Sequence, residues 1–164
     1  MIDIIISNEC ENDDINIYEI GDDMIEAIKS AVELCEQEES IEFDNEVSLT
    51  FVDDDEIRRL NNEYRGIDSF TDVLSFPMFE PGELKLQADI DYGYFMPIGD
   101  IVISLDTAKR QAEEYAHSLK REIVYLAVHS MYHLMGYDHM QEDEKKIMRA
   151  KEENIMNKLN LSRD

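Results

Sequence analysis

Two cysteines, three prolines and six glycines are all that 164 residues hold of these types, and positive charge is scarce, 15 Lys and Arg standing against 39 Asp and Glu. Cys10 and Cys35 lie far apart with no CxxC spacing. That excludes a disulfide framework and leaves them as free thiols in a reducing compartment, not as metal ligands. No apolar run is longer than a few residues, Ile4-Ile5-Ile6 being an example, so no segment is able to span a bilayer. The N-terminus has neither the basic start nor the long apolar stretch of a secretory signal. A cytoplasmic protein with no membrane partner is expected.

The shortage of basic residues gives a formal net charge of -24. Taken alone, this argues against a polyanionic substrate, which the long-range field would repel. The excess is uneven, however: residues 1–60 carry 20 acidic and 3 basic side chains, whereas residues 98–164 carry 12 and 10. The acidic third reads as a solvated surface that favours solubility. Without an internal repeat, a low-complexity tract or a flexible linker, the chain is expected to form a single domain over residues 1–164, long enough to bury a core unaided.

Hydrophobic periodicity outlines the elements. Met1 to Ser7 and Glu46 to Val52 read as strands, the second by strict alternation of Val47, Leu49 and Phe51 with polar neighbours. A short strand is also expected near Ile15 to Ile20. Met24, Ile28, Ala31, Val32 and Cys35 mark a helix opened by Gly21-Asp22-Asp23, and Asp53 to Asp55 cap another that runs to about Tyr64 and buries Ile57 and Leu60. Thr71 to Phe76 is a strand stopped by Pro77. All three prolines and four glycines fall between Gly66 and Gly99, a loop-rich region of the kind that carries binding. Ile98 to Leu105 is a further strand, followed by helices from Asp106 to Ala116, from about Leu119 through the histidines, and from Gln141 to Leu159 with Ile147, Ala150, Ile155 and Leu159 inward. The sum is an α+β fold, a small mixed sheet of about four strands with helices packed on it.

Three of the four histidines fall in His129 to His139, spaced H-x3-H-x5-H. On a helix, His129 and His133 stand about 40° and roughly 6 Å apart, so both rings project from one face. Gly136 supplies the left-handed residue that ends the helix and lets His139 return from a loop. Three imidazoles with an open fourth position suit a catalytic zinc, which acts as a Lewis acid and lowers the pKa of bound water from about 15.7 to about 7. Hydrolysis is the natural reaction class. The spacing equals that of the metzincin proteases, but Ser130 occupies the position of their glutamate and is unable to serve as the water-activating carboxylate. A fourth ligand would make the site structural; His117 is the remaining histidine, and it reads instead as an exposed or capping residue. Asp138 either orients a ligand or terminates the helix. Arg58, Arg59, Lys109, Arg110, Lys120 and Arg121 are interspersed with acidic neighbours and read mainly as solvated helix surface.

The segment His129 to His139 resembles the signature H-G-x-x-H-L-x-G-Y-D-H of the YbeY family of metal-dependent endoribonucleases. Leu60-Asn61 through Arg65-Gly66, Thr71 to Pro77 (TDVLSFP) and Gly99 to Ser104 (GDIVIS) are similar to further family motifs in the same order, covering roughly residues 47–140. Ser130 departs from a usual glycine and Phe70 from a commoner polar residue. The resemblance implies a zincin-like fold with the metal helix in the core. It implies one zinc ion on His129, His133 and His139, and Arg65 as the functional arginine holding a phosphate; without it, Arg65 would be an ordinary helix C-terminal cation. It further implies cleavage of single-stranded ribosomal RNA, including 3′-end maturation of the small-subunit RNA and ribosome quality control, with the small subunit as partner. Two other classes stay open at this stage, a ribosome assembly factor whose metal serves shape only, and a zinc peptidase. The oligomeric state is not encoded in any of these features.

Overall fold

The computed structural model describes residues 1–10, 20–87 and 93–161. Four strands, β1 (Ile2–Asn8), β2 (Asn45–Val52), β3 (Val73–Pro77) and β4 (Met96–Ser104), and five helices, α1 (Asp22–Glu38), α2 (Asp54–Arg65), α3 (Leu105–Glu114), α4 (Leu119–Leu134) and α5 (Glu142–Lys158), follow the order expected from periodicity. The strand expected near Ile15 to Ile20 lies largely outside the described residues. The strands form one mixed sheet in the order β1-β2-β4-β3. β1 pairs parallel with β2 and β2 with β4, while β3 runs antiparallel to β4 and forms the edge.

Strand alternation decides the faces. Val47, Leu49 and Phe51 of β2 and Ile101 and Ile103 of β4 are fully buried and join the main core with α1 and α4. Val52, Ile57 and Leu74, supported by Leu60, Phe76 and Val102, form a smaller cluster under α2. Three polar side chains fix helix starts: Asp53 accepts from the Glu56 amide at 2.9 Å, Ser104 from Thr107 at 3.3 Å and Ser118 from Arg121 at 3.1 Å. Each such cap contributes about 1 kcal/mol.

The metal helix expected from the sequence is α4, and it is buried on more than the single apolar side that periodicity marks. Besides Ile123, Leu126, Ala127, Met131 and Leu134, the side chains of Val124, Val128 and Tyr132 are also inside. It needs close approach to β4, and Gly99 provides it: a Cβ there would lie 2.9 Å from the Phe76 carbonyl oxygen and overlap the Leu134 side chain. The last helix turns differently from expectation. Ile147 is 53 % exposed and Ala150 is also exposed, while Met148, Glu152, Ile155 and Met156 face inward. Ile155 and Leu159 pack as expected, but earlier in the helix Met148 and Glu152 take the inward places of Ile147 and Ala150, and Glu152 is an acid that hydrophobicity alone would place outside.

A second buried acid, Glu36 of α1, has one carboxylate oxygen without a partner. Burial pushes its pKa up to about 7, against the opposing hydrogen bond with Asn45. Because the folded value lies above the unfolded one, the folded state holds the extra proton between about pH 4.5 and 7, and stability falls as pH rises through that window. Glu36→Gln is therefore expected to be more stable than wild type at pH 8, by up to about 3 kcal/mol, with the difference vanishing towards pH 4.5. Urea unfolding at the two pH values measures it.

Candidate metal and substrate site

α4 carries His129 and His133 on one side of its last two turns. The helix then closes on Gly136, whose φ of +98° suits glycine and whose missing Cβ leaves room for Pro81; a Cβ there would come within 3.1 Å of the Pro81 Cα. The chain turns back and returns His139 to the other two. The ligand-type atoms of the three imidazoles lie within 4.8 Å of one another. His133 Nε2 is 3.1 Å from both His129 Nε2 and His139 Nδ1.

The outer nitrogens decide what those contacts are. His133 Nδ1 donates to the Tyr137 carbonyl at 2.9 Å, and His129 Nδ1 pairs with the Glu152 carboxylate at 2.8 Å. Glu152 also accepts from the Tyr125 hydroxyl at 3.2 Å and is only 4 % exposed. With both Nδ1 protons committed outward, the two Nε2 atoms face each other as lone pairs. Neutral rings so arranged repel unless a cation sits between them. Burial first, then the neighbouring His129, holds His133 below its ordinary pKa, which favours the neutral form that can ligate. Two of the three separations, at 3.1 Å, are close to the edge of about 3.3 Å that a tetrahedral ion with bonds of 2.0–2.1 Å requires, and the third is within 4.8 Å. The donor set fits a zinc-like ion.

Opposite the histidines lies the edge strand. A cleft of about 660 Å³ is lined on one side by His129, His133 and His139 and on the other by Arg65 and the segment Thr71 to Ser75. Arg65 is the last residue of α2, placed at the helix end by Gly66 in the left-handed region with φ of +70°. Its side chain is exposed into the cleft, and among the described residues no carboxylate pairs with it. It is the one Lys or Arg among the cleft-lining residues. The acids nearby are already engaged: Asp72 accepts from the Val73 amide at 2.8 Å, and Asp138 from the His139 amide at 2.7 Å.

The residues expected from sequence thus converge, His129, His133, His139 and Arg65 around one cleft. Others fall elsewhere. His117 is half-buried, not exposed, and bonds Glu122 at 2.6 Å, outside the three-histidine group. Asp138 does line the cleft, with its carboxylate tying down its own loop through the His139 amide. Ser130 is fully buried, its hydroxyl has no hydrogen-bond partner among the described residues, and it does not line the cleft. Three arginines of α2 and α3 outside the cleft are paired, Arg58 with Asp68, Arg59 with Glu56 and Glu63, and Arg110 with Asp54. Sequence reasoning missed Glu152; the signal was its place four residues after Met148 and three before Ile155, on the stripe that packs.

The family model described as endoribonuclease YbeY matches residues 6–160. Proteins named endoribonuclease YbeY are similar over nearly the whole chain. That of Caldanaerobacter subterraneus is 54 % identical over 142 residues, covering 85 % of this chain and 87 % of its own. That of Thermoanaerobacter pseudethanolicus is 48 % identical over 168 residues, covering 99 % and 100 %. That of Clostridium perfringens is 45 % identical over 159 residues, covering 91 % and 95 %. The solution structure of a Thermotoga maritima protein shares the fold, with a TM-score of 0.57 at 24 % identity, covering 96 % of this chain and 91 % of that one.

Proposed function

Because the chain belongs to the YbeY endoribonuclease family, we propose that it cleaves phosphodiester bonds in single-stranded regions of ribosomal RNA, including the 3′ end of the small-subunit RNA. In this reading residues 1–164 act as one catalytic domain in the cytoplasm, with the small ribosomal subunit as partner. One zinc ion is held by His129, His133 and His139. The observation that carries the reading is the shared cleft, with a three-imidazole donor set facing a guanidinium that pairs with no carboxylate among the described residues.

The ion, when bound, supplies Lewis acidity and a water acidic enough to attack at neutral pH. The rest is work for the chain's own groups. Glu152 and the Tyr137 carbonyl hold the Nδ1 protons of His129 and His133, keeping both Nε2 lone pairs aimed inward. Arg65 binds the scissile phosphate through a planar, permanently charged fork and stabilises the charge that develops on it. β3, open on one edge beside α4, lets an extended single strand lie along the cleft. No chemistry is assigned to Ser130, which is buried and not part of the cleft lining; this leaves the peptidase reading without its base.

Glu152→Ala is expected to weaken zinc binding about 10- to 100-fold, read by competition against a chromophoric chelator. The function itself is tested by incubating the zinc-loaded protein with a single-stranded ribosomal RNA fragment and with the same sequence annealed to its complement. Cleavage of the first and sparing of the second is expected. Cleavage of neither, with the metal bound, would favour an assembly factor.

A further inference from the structure

Exposed apolar side chains recur on the segments that flank this cleft. Among the described residues ten large hydrophobics are exposed; Met140 lines the cleft, and Tyr64, Ile67, Phe70 and Met78 lie within two residues of lining positions. Tyr64, Phe70 and Met78 are chain neighbours of the lining residues Arg65, Thr71 and Pro77. In a chain of net charge -24, large exposed apolar groups flanking the one arginine that lines the cleft point to a ligand that is both anionic and flat-faced.

Two of the rings are held in place. Phe70 is 54 % exposed, yet the Arg110 guanidinium sits 5.1 Å from its ring centroid. Arg110 is itself fixed by Asp54 at 2.8 Å and by the Thr107 hydroxyl at 2.9 Å. Tyr64 is 63 % exposed and rests edge-on against Phe76, with centroids 5.3 Å apart. Each ring has its orientation set from within the protein while much of its surface stays in solvent, an arrangement that lowers the entropy cost of stacking a ligand on it.

We propose that Phe70, backed by Arg110, and Tyr64, backed by Phe76, form a base-stacking platform on which nucleobases of a single-stranded RNA lie next to the phosphate held by Arg65. This rests on the RNA-cleaving reading above and adds the means of affinity to it. Arg58, Arg59 and Arg110 are already neutralised by carboxylates, so phosphate attraction is limited, and stacking supplies what charge does not. Every base has a flat face, so the platform favours unpaired strands with little sequence preference.

The test uses zinc-loaded full-length protein and a single-stranded RNA carrying 2-aminopurine at each position in turn, with fluorescence following stacking and gel analysis following cleavage. Wild type is expected to quench the probe at positions adjoining the cleavage site. Phe70→Ala is expected to lose the quenching at one of them and to bind about tenfold more weakly, with kcat little changed. Phe70→Tyr should restore both, whereas Phe70→Leu, which keeps apolar bulk, should not. The slope of log affinity against log salt should be the same for Phe70→Ala as for wild type, since no phosphate contact is lost. Tyr115→Ala, an exposed ring beside His117 and away from the segments that flank the cleft, should behave as wild type. Quenching and affinity unchanged in Phe70→Ala would overturn the proposal and leave the apolar strip to a protein partner. Quenching by wild type without cleavage would keep the platform while contradicting the nuclease reading, so the two fail separately.

Discussion

Replacing His133 by alanine is expected to remove bound zinc and lower RNA cleavage on the order of a thousandfold or more. His133 is the middle member of the cluster, its Nε2 lying 3.1 Å from both other imidazoles. Without it two donors remain, and water would have to complete most of the coordination sphere. The helix should survive the change. His133 lies on the cleft side of α4, only partly buried, and the apolar face that packs against the sheet is untouched. Metal content by elemental analysis, cleavage of a labelled single strand and a thermal melt, taken together, separate loss of the ion from loss of fold. Retained zinc and retained cleavage in a folded variant would contradict the assignment.

Arg65→Ala should also disable cleavage, about 100- to 1,000-fold in kcat/KM, but by another route. Zinc content should be unchanged, because Arg65 approaches from α2 and the edge-strand side of the cleft, while the three histidines come from α4 and its following loop. Stability should change by no more than about 0.5 kcal/mol, as expected for an exposed side chain at a helix end. Arg65→Lys should recover only part of the activity, since an ammonium keeps the charge and loses the two-pronged fit to phosphate. Full activity in Arg65→Ala would return this residue to an ordinary helix C-terminal cation.

These two variants probe what was most legible in the sequence. Helical spacing places His129 and His133 together without knowledge of the fold, and Gly136 signals the turn that returns His139. Strand alternation around Val47, Leu49 and Phe51 likewise marks the central strand. Arg65 was legible only through resemblance, because its approach to the histidines depends on how β3 lies beside α4, a contact between distant parts of the chain.

What stayed hidden has a common physical origin. Hydrophobicity puts Ile147 and Ala150 inside α5, yet the helix turns so that Glu152 reaches His129. A buried carboxylate that satisfies an imidazole and a phenol outweighs the exposure of one isoleucine. His117 reads from sequence as an exposed or capping residue, and its partial burial comes with a bond to Glu122 one turn into the next helix. Ser130, adjacent in sequence to His129, turns about 100° away around the helix and into the core. Nearness along the chain does not make it a member of the site.

The central claim is that an ion held by His129, His133 and His139 carries RNA cleavage. Its most direct test is to strip the wild-type protein with a chelator, return zinc in measured steps, and follow cleavage of a single-stranded ribosomal RNA fragment at each step. Activity absent at the start, rising in proportion to bound zinc and levelling at one ion per chain, is the expected result. Cleavage by the stripped protein equal to that of the loaded one would contradict it.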